Sequence, residues 1–167
     1  MDLSIADTLA QWLHIIGVLV WMGHNYVNVI QNPRFNPIDA SDAKAVEGVF
    51  LAALKREHGI FRHASLVTLA TGLFMLWHRD MLGEAIALSG GHAVIGMGVW
   101  FGTAMVLNVW LVLWPHQKKV LGFIPATAEE RVRCSRITFL SSRVNTILSF
   151  PTLFFMISGA HGTSLFD

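Results

Sequence analysis

Two histidines in the first apolar stretch of the chain are the residues best suited to chemistry. His14 and His24 lie within QWLHIIGVLVWMGHNYVNVIQ, residues 11–31, which is otherwise apolar enough for a lipid bilayer. Neutral imidazole is a costly filler in such a segment and a good metal ligand. Their separation in the sequence places them about 15 Å apart along a helix axis and roughly 80° apart around it. They therefore cannot bind the same iron, and we expect either two sites at different depths or one site and one structural histidine.

Long apolar helices must position these side chains, because the composition is that of a membrane protein. The 167 residues are 53% hydrophobic and 14% charged, and the charges cluster between long neutral windows. Four windows are long enough to cross about 30 Å of hydrocarbon, and they cover about residues 7–30, 60–79, 91–114 and 138–161. We predict an all-α fold, a polytopic membrane four-helix bundle, in a single transmembrane domain (residues 1–167) with cytoplasmic links at 31–59 and 115–137.

Charge and cysteine content argue against several other classes of protein. A net charge of +1, without a run rich in Lys and Arg, gives no support for nucleic-acid binding. The single cysteine, Cys134, cannot form an internal disulfide. No Lys or Arg precedes Arg34, whereas a cleavable signal peptide needs a positive region at its start. We therefore interpret residues 1–30 as a retained helix.

The distribution of basic residues predicts the orientation in the membrane. If four spans alternate in direction, both termini share one side with Arg79, and the other 11 of the 12 Lys and Arg residues lie on the opposite side. The positive-inside rule assigns that opposite side to the cytoplasm. We expect a multi-pass protein of a bacterial inner membrane with both termini in the periplasm. Thr127 and Glu130 have capping-box spacing, so we expect a helix to begin there and to continue into the fourth span.

Counting residues from each predicted boundary groups the histidines by depth. His14 lies within a turn or two of His92 and His161 near the outer face, whereas His24 and His63 lie at similar depth near the cytoplasmic face. Two imidazoles on facing helices can hold the iron of haem b, so we expect one such haem, or two, with these five histidines as candidate iron ligands. The chain has no Cys-x-x-Cys-His motif, which excludes covalent c-type attachment.

Other polar and small residues have competing interpretations. Arg62 and Arg143 either bind haem propionates or extend toward lipid headgroups, and both options stay open. Ser, Thr and Asn in the first and fourth spans are interpreted as interhelical hydrogen bonders. Gly98-x-x-x-Gly102 predicts close helix approach and would suit packing between the protomers of a homo-oligomer. Three further histidines are interpreted as interfacial: His58, His78 and His116.

The third and fourth predicted spans carry a resemblance to a known family. "GTAMVLNVWLVLWPHQKKVLG" and "SSRVNTILSFPTLFFMISGAHG" resemble the N-terminal membrane domain of the bacterial membrane-bound urate oxidase (urate hydroxylase) family, through the Asn-Trp pair, "WP-x-QK", "SR-x-NT" and "P-x-LFFM". The first span fits its Trp-His start, and the second matches through Arg62, Thr71 and Gly72. More loosely, "LHIIGVLVW" resembles the first helix of the bacterial four-helix haem-binding protoporphyrinogen oxidase family. Both resemblances imply a redox-associated membrane bundle, here a stand-alone four-helix protein, with His14 as a ligand candidate.

Three candidate functions follow from the residues and the resemblance. The first is a membrane-embedded b-type haem protein, a cytochrome b, that transfers electrons between a membrane donor or quinone and a periplasmic cytochrome c. The second is an enzyme, a membrane oxidase of a urate-type purine or of a porphyrinogen. The third is a non-redox membrane scaffold subunit whose histidines form hydrogen bonds between helices. We favour the first.

Overall fold

Every regular element in the described part of the chain is helical. The computed structural model describes residues 5–36 and 49–162, and this part confirms the predicted all-α fold. Residues 37–48 of the predicted link 31–59 lie outside the described residues. The elements are α1 (Ile5–Gln31), α2 (Val49–His78), α3 (Leu82–Ala87), a 3-10 turn (Gly90–His92), α4 (Ala93–Leu107), a π-helical segment (Asn108–Leu113), α5 (Trp114–Val120) and α6 (Ala128–Ala160).

Three helical stretches are long and apolar enough to cross a membrane. They are Ile5–Gln31, Lys55–His78 and Gly90–Val120, and they agree with the first three predicted windows. All but the last residue of the fourth window, 138–161, lies in α6, which has 33 residues but is less apolar than the other three stretches. The reason is its composition, since Ser, Thr, Asn and Arg recur along it. The chain is therefore consistent with a membrane protein, while a fourth span stays a prediction.

The long helices associate as two antiparallel pairs. The most extensive interfaces join α1 to α2 and α4 to α6. A Cβ added at Gly98 would lie 2.9 Å from Cγ of Met156, and one at Gly102 would lie 3.7 Å from Cγ2 of Thr152. The glycine pair therefore permits close helix approach, as predicted, but this face of α4 packs against α6 of the same chain. Packing between protomers through these glycines is not supported.

Hydrogen bonds between amides and hydroxyls join α6 to the helices opposite it. The Nδ2 of Asn108 donates to Oδ1 of Asn145 at 2.7 Å and to the backbone oxygen of Ser141 at 2.9 Å. Tyr26 of α1 lies 2.8 Å from the hydroxyl of Ser149. Asn145 and Ser149 of the fourth predicted span therefore bond between helices, as predicted for polar residues there.

Two local features of the chain lie in the α4–α6 pair, a widened helical turn and a helix cap. The π-helical segment ends just before Pro115, which has no N–H to donate to the carbonyl four residues earlier, so the chain there widens its turn. At the start of α6, the hydroxyl of Thr127 accepts a hydrogen bond of 3.2 Å from the backbone N–H of Glu130. The predicted helix start is thus confirmed, and α6 continues without a break to Ala160.

A layer of large apolar side chains divides the interior of the bundle. Trp21 and Met22 of α1 pack on Met105, Val106 and Val109 of the α4 region, and all five are buried. A cavity lies on each side of this layer, and Trp21 lines both of them. The interior therefore offers two separate sites at different depths.

Candidate functional site

The first site is an apolar cavity of about 230 Å³, which we call the His14 cavity. All four long helices contribute to its wall, among them Val18 of α1, Leu69 of α2, Val99 of α4 and Leu153 of α6. His14 is the one titratable side chain among the described residues that line it. An imidazole in apolar surroundings is the arrangement that the first apolar stretch predicted.

The imidazole of His14 is oriented by the backbone of α2. Its Nδ1–H donates to the carbonyl oxygen of Thr68 at 2.8 Å and lies 3.3 Å from the hydroxyl of Thr71. This assigns the proton of the neutral ring to Nδ1, which leaves Nε2 with a lone pair. Metal-bound histidines are usually oriented in this way, by a hydrogen bond from the nitrogen that does not bind the metal.

Gly72 makes room for this ring. A Cβ at that position would lie 2.9 Å from Cε1 and 3.2 Å from Nδ1 of His14. The first distance is shorter than real Cβ atoms allow, so a larger residue would displace the imidazole. Thr68, Thr71 and Gly72 together form the seat of His14.

The other outer histidines do not line the His14 cavity. Nδ1 of His92 lies 2.7 Å from a carboxylate oxygen of Glu84, on an exposed part of the surface. His161 follows α6, and its Nδ1 donates to the carbonyl oxygen of Ile157 at 2.8 Å. No contact between His14 and either predicted counterpart is found among the described residues, and these pairings stay predictions.

The second site is a polar cavity of about 820 Å³ at the other end of the bundle, which we call the polar cavity. His24 lies in its wall, stacked on Phe61 with ring centroids 3.6 Å apart. The ring of His58 approaches it edge-on at 5.7 Å. Nδ1 of His24 also lies 3.2 Å from a carboxylate oxygen of Glu57. His24 is therefore held in place by neighbours on α2.

His63 lies away from this group. Its Nδ1 donates to the carbonyl oxygen of Gly59 at 2.8 Å, and its ring lies 6.2 Å from that of Trp110. It is exposed and lines a separate groove between α1 and α2. The structure thus places His24 beside His58, while a joint site of His24 and His63 stays a prediction.

The two arginines predicted near the cytoplasmic face have different environments. The guanidinium of Arg62 lies 3.6 Å from the ring centroid of Trp114, in the wall of the polar cavity. Arg143 donates to Oδ1 of Asn28 at 3.3 Å and to the backbone oxygen of Asn32. Neither arginine lines the His14 cavity.

His58 is the site residue that sequence reasoning passed over. Its Nε2 lies 3.0 Å from the side-chain amide of Gln117, which joins α2 to α5 at the polar cavity. One signal was available, because His58 and Arg62 are four residues apart and must share one face of a helix. An inward Arg62 therefore implied an inward His58.

No group of three or more His, Cys, Asp and Glu side chains is arranged to hold a metal ion within residues 5–36 and 49–162. A haem iron needs only one or two axial side chains, so this observation does not bear on a haem site.

Comparison with known proteins places the chain in a family. Residues 52–166, well over half of the sequence, match the family model described as urate oxidase N-terminal. The chain belongs to the urate oxidase N-terminal family. No curated protein and no solved structure matches it. The match begins within α2, so it includes Thr68, Thr71 and Gly72, whereas His14 precedes it.

The motifs that carried the resemblance to this family have identifiable structural roles. Asn108 of the Asn-Trp pair bonds to Asn145 of the "SR-x-NT" motif. In "WP-x-QK", Pro115 follows the π-helical segment, and Gln117 bonds to His58. These motifs therefore fix the α4–α6 pair and one wall of the polar cavity.

Proposed function

We propose that this member of the urate oxidase N-terminal family is a membrane-embedded electron-transfer protein that binds haem b through His14. The observation that carries the proposal is the orientation of His14. Its Nδ1 donates to the Thr68 carbonyl at 2.8 Å, so the basic nitrogen Nε2 is free to hold the iron of a bound haem. The apolar wall around it suits a porphyrin.

The residues that line the His14 cavity suit the ligand chemistry of haem, but the cavity is smaller than the usual site for a small molecule. Two soft sulfur donors, Met22 and Met156, line the same cavity as His14, and His–Met ligation occurs in electron-transfer haem proteins. The volume of about 230 Å³ lies below the range of about 300–1,000 Å³ usual for small-molecule sites. Haem binding would therefore require the α1–α2 pair and the α4–α6 pair to move apart.

The role of each group follows from its position. When bound, haem would supply a one-electron redox couple in the apolar interior. His14 would hold it, the Thr68 carbonyl would fix the ring orientation, and the buried layer around Trp21 would separate the haem from the polar cavity. His14 is close to the start of α1, which the positive-inside rule places on the periplasmic side. Electron exchange with a periplasmic cytochrome c, and with a quinone as membrane donor, suits that depth.

The proposal is limited to one haem. His24 contacts Phe61 and His58, and His63 lies exposed at a separate groove. A second haem between His24 and His63 therefore has less support than the one at His14.

The experiment compares haem content and visible spectra of three forms of the full chain: wild type, His14→Ala and His116→Ala. The control is matched because Nδ1 of His116 also donates to a backbone carbonyl, that of Val112, at 2.7 Å, but outside the His14 cavity. We expect His14→Ala to lose the haem absorbance and His116→Ala to retain it. Full haem content with an unchanged reduction potential in His14→Ala would contradict the proposal.

Membership of the family favours a second candidate, the oxidation of a urate-type purine by the protein of which this chain is part or partner. Electron transfer alone predicts that urate is not consumed by the purified chain. Stoichiometric loss of urate, with an added one-electron acceptor reduced in parallel, would favour the second candidate.

A further inference from the structure

The two charged side chains in the described lining of the polar cavity, Arg34 and Arg62, are both basic. Neither Asp nor Glu is among the described residues that line it, and the carboxylate of Glu57 lies beside the wall, 3.2 Å from Nδ1 of His24. The cavity lies between the end of α1, the first half of α2, α5 and the start of α6. This is the end of the bundle that carries nearly all the Lys and Arg residues.

The hydrogen-bonding capacity of Arg62 is incompletely used. One face of its guanidinium stacks on Trp114 at 3.6 Å, and Trp110 lies at 5.4 Å. Such stacking engages the face of the cation but not the N–H groups in its plane. Nε and Nη1 are both buried and have no hydrogen-bond partner among the described residues. Arg62 as a whole is half-buried, but buried N–H groups without acceptors are costly unless a bound ligand or water supplies the acceptors.

A second unpartnered donor lies in the same wall. Asn25 is 4% exposed, and its Nδ2 finds no partner in the described part of the chain. All three unsatisfied atoms of the cavity, two on Arg62 and one on Asn25, are therefore donors. They come from two helices, α1 and α2, so an anion with several oxygens satisfies them better than a single carbonyl.

We propose that the polar cavity binds the phosphate group of an anionic ligand through Arg62 and Asn25. Phosphate offers oxygen acceptors in several directions and forms strong charge-assisted hydrogen bonds to guanidinium. Basic pockets between membrane helices at the cytoplasmic end are suited to anionic headgroups. The shared chemistry has two sources, the headgroup of an anionic lipid and a free phosphate from the cytoplasm. The site is separate from the His14 cavity and does not depend on haem.

Two measurements on the purified full chain in neutral detergent test the site. Tryptophan fluorescence is titrated with sodium phosphate at constant ionic strength balanced by chloride, because Trp110 and Trp114 lie beside Arg62. Native mass spectrometry then compares retention of phosphatidylglycerol and phosphatidylcholine. Saturable binding of phosphate alone identifies a soluble ligand, and selective retention of phosphatidylglycerol identifies a lipid headgroup. Either outcome supports the site.

Variants connect the binding to the cavity. Arg62→Gln should weaken binding at least about tenfold, since hydrogen bonds to a charged group are lost. Arg136→Gln removes the same charge from an exposed position outside the cavity lining, and should change the affinity by less than about twofold. If Arg62→Gln does not fold, Asn25→Asp provides the test, because it places an acceptor and a negative charge in the wall and should also abolish binding.

Three results would overturn the proposal. The first is equal weakening in Arg62→Gln and Arg136→Gln, which would indicate a diffuse charge effect. The second is no saturable binding of phosphate and no preference for phosphatidylglycerol in the wild type, which would leave water as the partner of these donors. The third is a response to urate without any response to phosphate or phosphatidylglycerol, which would assign the cavity to a purine.

Discussion

Gly72 is the position at which one methyl group tests the placement of His14. In Gly72→Ala the new Cβ would lie 2.9 Å from Cε1 of His14, and ordinary contact begins at 3.4 Å. The ring must therefore move by about 0.5 Å, which stretches its 2.8 Å hydrogen bond to the Thr68 carbonyl toward the limit of a hydrogen bond. Overpacking costs about 2 kcal/mol and the weakened bond about 1 kcal/mol, while better helix propensity returns about 1 kcal/mol. The net loss of unfolding free energy should be about 2 kcal/mol.

The assay is unfolding in mixed detergent micelles followed by fluorescence. Gly59→Ala is the matched control, because Gly59 lies on the same helix and a Cβ there would meet nothing within 4 Å. It should be neutral or stabilising by up to about 1 kcal/mol. In a His14→Ala background the cost of Gly72→Ala should disappear, since no ring remains to be displaced. The reasoning would be refuted if Gly72→Ala lowered the unfolding free energy equally in the His14→Ala background. It would also be refuted if Gly72→Ala changed the unfolding free energy no more than Gly59→Ala does.

Three further predictions address other parts of the chain. Arg79→Gln should lower the unfolding free energy by about 3 kcal/mol, because it removes the guanidinium that donates hydrogen bonds of 2.7 and 3.0 Å to the buried carboxylate of Asp7. The exposed Arg133→Gln should have almost no effect in the same unfolding assay. Lys119 donates to Glu130 at 2.5 Å and holds the pKa of the Glu130 carboxyl below its ordinary value of 4.5. The contribution of this ion pair to stability is therefore present above pH 4.5 and is lost as the pH falls through the lowered pKa. Thermal unfolding across that range should show this loss in the wild type and not in Glu130→Gln. A reporter fused to the C-terminus should be active in the periplasm, and one inserted between α5 and α6 only in the cytoplasm; the reverse pattern would invert the orientation.

The long helices were predictable because hydropathy acts over whole spans. The first three windows match described helices, and the capping pair Thr127 and Glu130 marks the start of α6. The short helix α3, Leu82–Ala87, was not predicted, since six residues carry too little periodicity to be recognised. The π-helical segment before Pro115 was also missed, because it depends on how the chain accommodates a missing N–H.

The contact partners of the candidate histidines were harder to predict from the sequence than the histidines themselves. Depth alone grouped His24 with His63, but rotation about the helix axis decides contacts, and α2 turns His58 toward His24. His14 was identified from its residue type, whereas its seat on Thr68 and Gly72 depends on the register between α1 and α2. Hydropathy does not determine the register between α1 and α2, because the two helices bury apolar surface equally well in several registers.

Binding of haem b through His14 is tested most directly by one measurement. The full chain is produced with haem available and purified, and a dithionite-reduced minus air-oxidised spectrum is recorded, with haem quantified per chain. The proposal predicts the spectrum of a b-type haem at a ratio close to one haem per chain in the wild type, and its loss in His14→Ala. A wild-type protein that is folded and free of haem under these conditions would contradict the proposal.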